Sequence, residues 1–181
     1  EAEFPQNTTY AQSNLMKSYY EKEDFANAVV YADKVLKNDK IEDRIKSDAQ
    51  IIVARSAIKT NDEAKAKEAY DKLNKIAKGE LKAEALYYDA YFKNKEGKFN
   101  ASNKVVEKIA VDYSGYKYFG SKALIIMAKN YFSLEDSFQA TEILQSVIDN
   151  FTEFEDVTAE AQKELDFIKA EEAKRNSSIT N

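Results

Sequence analysis

"SYYEKEDFANA", residues 18–28, sets two tyrosines before a charged stretch, then an aromatic and, three positions on, a small residue. "NYFSLEDSFQA", residues 130–140, repeats that plan 112 residues later. Around the first copy, Leu15, Tyr19 and Tyr20 precede the polar stretch and Phe25, Ala28, Val29, Ala32, Val35 and Leu36 follow it. Apolar residues three and four apart make one face of an amphipathic helix. Glu23-Asp24 and Glu135-Asp136 carry the turn signal between two such runs. Each stretch therefore predicts a helical hairpin.

Working outward, the same reading predicts hairpins over 9–38, 44–77, 80–113 and 117–150 and a ninth helix over 155–174. Asn61-Asp62 and Glu96-Gly97 supply the other two inner turns, and Asp39-Lys40, Lys78-Gly79 and Ser114-Gly115 separate the hairpins. Gly79 and Gly97 suit the left-handed conformation that ends a helix. Residues 1–8 read as a linker or tag remnant and 175–181 as a disordered tail. Only four Gly and one Pro occur in 181 residues, too few for the frequent tight turns of a sandwich or barrel. The expected class is all-α.

Aligned on aromatic and small residues, the hairpins give columns. Ala11, Ala49, Ala83 and Ala123 open the first helices, and Tyr19, Ala57, Tyr91 and Tyr131 close them. Ala28, Ala66, Ser102 and Ala140 sit in the second helices, which end on Val35, Leu73, Ile109 and Val147. This alignment gives the third hairpin two extra residues before Gly97. The small-residue column advances by 38, 36 and 38 residues, and a fixed period in this range signals stacked repeats that share one core.

With "ARSAIKTNDEAKA" and "AYFKNKEGKFNAS" as further copies, these columns resemble the tetratricopeptide repeat (TPR) family. Its usual Gly/Ala column falls on Met16, Ala54, Tyr88 and Ala128 in the alignment above. The resemblance spans residues 9–150 and implies a right-handed α-solenoid of about four TPR-like helical hairpins plus a C-terminal capping helix. In that cap Ala161, Leu165 and Ile168 are expected inside and Glu160, Lys163, Glu164 and Glu171 outside. A narrower likeness to TPR arrays of bacterial cell-envelope proteins implies the periplasm or cell envelope, and "FPQN" resembles the exit from an earlier repeat, which implies a first hairpin packed on further repeats.

No Cys, His or Trp occurs, which removes thiol nucleophiles, disulfides, the commonest zinc ligands and the usual neutral-pH base. The four glycines stand apart and cradle no phosphate, and no stretch fits a calcium loop. The chain thus reads as non-enzymatic and without cofactor or metal. A net charge of −5 argues against nucleic acid, and no apolar run approaches the ~20 residues of a membrane span.

In the TPR family the first helices line a concave face, so the resemblance implies a groove built from their outward positions. Here Tyr20, Ile58, Phe92 and Phe132 form one row, Ser13, Ile51, Ala85 and Ile125 a second, and Lys17, Arg55, Asp89 and Lys129 a third. Lys59, Lys82, Lys93 and Lys122 lie around them, opposed by Glu21 and Asp48. The functional reading makes Tyr20, Phe92 and Phe132 apolar anchors and Lys17, Arg55 and Lys129 charge readers. The expected partner is a protein or peptide segment that is acidic or ends in a free carboxylate. The competing reading packs the apolar rows between hairpins and leaves the lysines as a solvated face. Other expectations are a structural or self-associating segment of a longer TPR protein and, further off, a small-molecule or lipid carrier.

Overall fold

The computed structural model describes residues 5–179, with side chains described from 7 to 177. Among these residues all regular structure is helical: α1 (Pro5–Glu21), α2 (Phe25–Leu36), α3 (Asp43–Lys59), α4 (Glu63–Ile76), α5 (Gly79–Lys95), α6 (Phe99–Asp112), α7 (Lys117–Ser133), α8 (Ser137–Asn150) and α9 (Glu155–Ile179). The chain is all-α. No helix among the described residues is long and apolar enough to cross a membrane.

Two ends differ from the expectation. The first helix starts at Pro5, not near residue 9, because proline suits a first helical position: its φ is already helical and its missing N–H is one that a helix start leaves unbonded. The last helix continues past 174 to Ile179. No Gly or Pro stops it, and Lys174–Glu171 (2.6 Å) and Arg175–Glu172 (3.6 Å) pair one turn apart on its surface. Residues 1–4 of the expected linker and 180–181 of the expected tail lie outside the described residues.

All four inner turns share one geometry. Glu23, Asn61, Gly97 and Glu135 have φ of 58°, 57°, 72° and 66°. At each, the next residue's N–H reaches back five positions: Asp24 to Tyr19 O, Asp62 to Ala57 O, Lys98 to Lys93 O and Asp136 to Tyr131 O, all 2.9 Å. That pair of features is the left-handed helix stop that satisfies the last free carbonyls. Asp24, Asp62 and Asp136 then accept from the backbone N–H three residues on, of Asn27, Lys65 and Gln139, and so also start the next helix. One aspartate closes one helix and opens another, so three residues suffice for the turn. Lys98 makes no side-chain cap, and here the left-handed residue is Gly97.

These turns correct the alignment of α5. Lys93, not Tyr91, makes the turn bond that Tyr19, Ala57 and Tyr131 make. The third hairpin therefore has no extra residues; its first helix follows the same steps of 38, 36 and 38. Ala85 replaces Ala83 in its column, Tyr91 replaces Asp89, Asn94 replaces Phe92, and Ala90 replaces Tyr88. Burial agrees: Met16, Ala54, Ala90 and Ala128 are all fully buried.

Residues up to Ala85 form one compact unit and those from Leu86 onward a second. In the first, α2 packs against α1 and α3, α4 packs against α3, and α1 touches α3. Its core contains Met16, Ala28, Val35, Ala54, Ala66, Tyr70 and Leu73. In the second, one cluster joins Leu86, Tyr87, Ala90, Val106, Ile109, Ala123 and Ile126. Another joins Ile125, Ala128, Ala140, Leu144 and Val147 to Val157, Ala161, Leu165 and Ile168 of α9. α9 packs on α8 and touches α7, as α3 does with α2 and α1. Asp166 and Lys169 are exposed on its other side. Glu160, Glu164 and Glu171, expected outside, are half-buried, and the first two turn toward Lys129.

Candidate functional site

The basic row chosen from sequence is largely a set of ion pairs between neighbouring hairpins. In the first unit Lys17 Nζ lies 2.7 Å from Asp48 Oδ2. Arg55 donates from Nε and Nη2 to the two oxygens of Glu84, at 2.9 and 2.5 Å. In the second unit Lys129 Nζ lies 2.9 Å from Glu164 and 3.6 Å from Glu160. Lys17–Asp48, Arg55–Glu84 and Lys129–Glu160 occupy equivalent columns, so a cation late in one first helix meets a carboxylate early in the next. Lys17, Arg55 and Lys129 are thus matched within the chain.

Glu84 was not singled out, yet it is the most enclosed charge among the described side chains, 2 % exposed. The Tyr70 hydroxyl, also buried, donates to it at 2.9 Å. This bidentate, hydrogen-bonded setting is what a buried carboxylate requires. The bond to Glu84 holds Arg55 well above its ordinary range, against the opposing pull of burial. Tyr20 is half-buried, with its ring 5.7 Å edge-on from Phe25. Burial pushes its hydroxyl up, Arg55 opposes that, and Glu84 adds to it. Ile58 is half-buried and Lys59 exposed.

In the second unit Phe92 is 5 % exposed and packs against the rings of Tyr91 (5.2 Å) and Tyr88 (6.2 Å). It is a core residue and not a groove anchor, because the two-residue shift turns it inward. Lys93 pairs with Asp89 one turn back on α5. Lys122 sits over the rings of Tyr87 (5.5 Å) and Tyr118 (5.6 Å), where a cation is favoured by the ring faces. Tyr118 donates to Asp156 at 2.8 Å.

Phe132 and Lys129 come together at a cleft of about 440 Å³ lined by Asn94, Phe99, Ser133, Glu164, Phe167 and Ile168 as well. The Phe132 and Phe167 rings meet edge to face at 5.9 Å, and the Arg175 guanidinium lies 5.5 Å over Phe132. Beneath it is a buried amide network. Asn130, fully buried, donates to Ser102 Oγ (2.9 Å) and Asn103 Oδ1 (2.7 Å) and accepts from Asn94 Nδ2 (2.8 Å). Ser102 in turn donates to Ala90 O. Sequence reasoning passed over Phe167 as part of the cap and Asn94 because of the alignment shift. The aligned column of Tyr20, Ile58 and Phe132 would have found Asn94. Compared with known proteins, the chain matches no protein-family model and no curated protein.

Proposed function

We propose that this chain is a non-enzymatic interaction scaffold, a right-handed α-solenoid of TPR-like hairpins that captures a segment of a partner protein. The turn geometry that recurs at steps of 38, 36 and 38 residues and the three ion pairs at equivalent positions support the solenoid reading. The observation that carries the functional reading is the aromatic cleft around Phe132 and Phe167. Phe167 is 52 % exposed, an aromatic left open to water beside two others, and large apolar side chains in such clefts are the usual anchors of peptide recognition. The test is affinity capture from the native source with the full chain as bait, wild type against Phe132→Ala/Phe167→Ala. A partner retained by the wild type should be lost from the variant while the variant stays folded; equal retention by both refutes the reading.

A second reading, self-association, has its own observation. On α1, Leu15 is 39 % exposed and Ala11 is exposed, whereas their equivalents on α3, Val53 and Ala49, are buried. This face of α1 suits a second copy of the chain. Sedimentation velocity should then show a concentration-dependent dimer that Leu15→Lys abolishes, and a strictly monomeric wild type up to about 100 μM refutes it.

A further inference from the structure

The cleft of the second unit carries polar groups beside its aromatic rings. We propose that the cleft takes an extended segment with an apolar or aromatic side chain next to a lysine or arginine, an inference that rests on the peptide-capture reading above. Charge comes first. One cation, Lys129, faces two carboxylates, Glu164 at 2.9 Å and Glu160 at 3.6 Å, and Glu164 itself lines the cleft. Arg175, over Phe132, is 3.6 Å from Glu172. A carboxylate arriving at Lys129 must displace Glu164 and then lie beside two like charges, so it gains no net pair. An arriving cation meets a surplus negative charge that is already in place.

Hydrogen bonding points the same way. Ser102 spends its hydroxyl proton on Ala90 O, so it accepts from Asn130 Nδ2. Asn130 Oδ1 is therefore an acceptor, Asn94 must present Nδ2 to it, and Oδ1 is the remaining side-chain polar atom of Asn94, a residue of the cleft lining. Ser133, also on the lining, donates its hydroxyl to Lys129 O. The Asn94 Oδ1, the Ser133 lone pairs and the Glu164 carboxylate all call for donors, which backbone N–H groups and a Lys or Arg head supply and a carboxylate does not. Phe99, Phe132, Phe167 and Ile168 form the apolar remainder. A volume of about 440 Å³ is near the small end of ligand sites, ~300–1,000 Å³, and suits one large side chain with its flanking backbone.

The probe is a pair of blocked, fluorescein-labelled heptapeptide pools with Phe or Leu at the centre and the other positions drawn from Ala, Ser, Gly and Asn. The residue after the centre is Lys or Arg in one pool and Asp or Glu in the other. Both are titrated by anisotropy against the full chain as wild type, Phe167→Ala and Glu164→Gln, each variant checked for folding by circular dichroism. The cationic pool should bind roughly three- to tenfold tighter than the acidic one. Phe167→Ala should weaken it, and Glu164→Gln should remove most of the preference. Tighter binding of the acidic pool that Phe167→Ala still abolishes overturns the charge assignment and leaves peptide capture standing. A full preference retained in Glu164→Gln also overturns the assignment. Binding of neither pool, or binding indifferent to Phe167→Ala, overturns both.

Discussion

Replacing Glu84 by leucine and by glutamine tests whether the basic row serves packing between hairpins. Glu84 accepts two bonds from Arg55 and one from the buried Tyr70 hydroxyl, and it is 2 % exposed. Leucine removes the carboxylate to which Tyr70 donates, a loss of about 1–3 kcal/mol for a buried group. Arg55 adds less, because its side chain is 42 % exposed and water replaces much of the ion pair, leaving about 1 kcal/mol. The apolar burial of leucine returns part of this, so a net loss of about 2–3 kcal/mol is expected. Glutamine keeps an oxygen for Tyr70 and Arg55 Nε but sets its NH2 against the Arg55 Nη2 donor, so it loses the charge and one acceptor, for about 1–2 kcal/mol. The assay is urea unfolding read as a midpoint shift at constant slope. Adding Tyr70→Phe to the leucine variant should recover about 1 kcal/mol, because the hydroxyl that lost its acceptor is gone. Equal losses for Gln and Leu, or no recovery with Tyr70→Phe, refute the reasoning.

Phe92→Ala should cost about 3–4 kcal/mol, the usual loss for a buried ring, and a loss under about 1 kcal/mol in urea unfolding would return Phe92 to the surface row. Glu135→Gly should raise stability by up to about 1 kcal/mol and Gly97→Ala lower it by about the same, since both positions are left-handed; thermal melts that move the same way for both count against the shared turn geometry. The Tyr118 hydroxyl is pushed up to about 12, by burial first and then by its bond to Asp156. The unfolded chain releases that proton near pH 10, so this contribution is complete below pH ~10 and is lost as pH rises through 12. Tyr118→Phe should remove one of the late-titrating tyrosines from the absorbance titration at 295 nm, and an unchanged curve refutes the assignment.

Much of the fold was legible because its signals are local. Polar turn pairs such as Glu23-Asp24 and Glu135-Asp136 and apolar residues at helical spacing act within a few positions, so the helices, the places of the inner turns and the inward face of α9 could be read directly. The phase of α5 could not. In Tyr87-Tyr88-Asp89-Ala90-Tyr91-Phe92 the aromatics surround the helix, so apolar spacing does not distinguish one face from another. The turn at Gly97 was needed to set the register, and with it the burial of Phe92 and the place of Asn94.

The candidate site was legible only in part, for a related reason. Phe132 and Lys129 lie at one cleft, but apart from Ser133 its other lining residues come from α5, α6 and α9, more than twenty residues away in sequence. From residues 1–181 alone, helical spacing and turn chemistry determine that the chain is a succession of helical hairpins with a period near 38, because each signal acts through bonds within one or two turns. Tertiary packing decides which charges are matched and which aromatics stay open to water. A lysine on a helix surface reads the same whether it faces solvent or a carboxylate 31 residues away, as Lys17 faces Asp48, and only the stacking of one hairpin on the next tells the two apart.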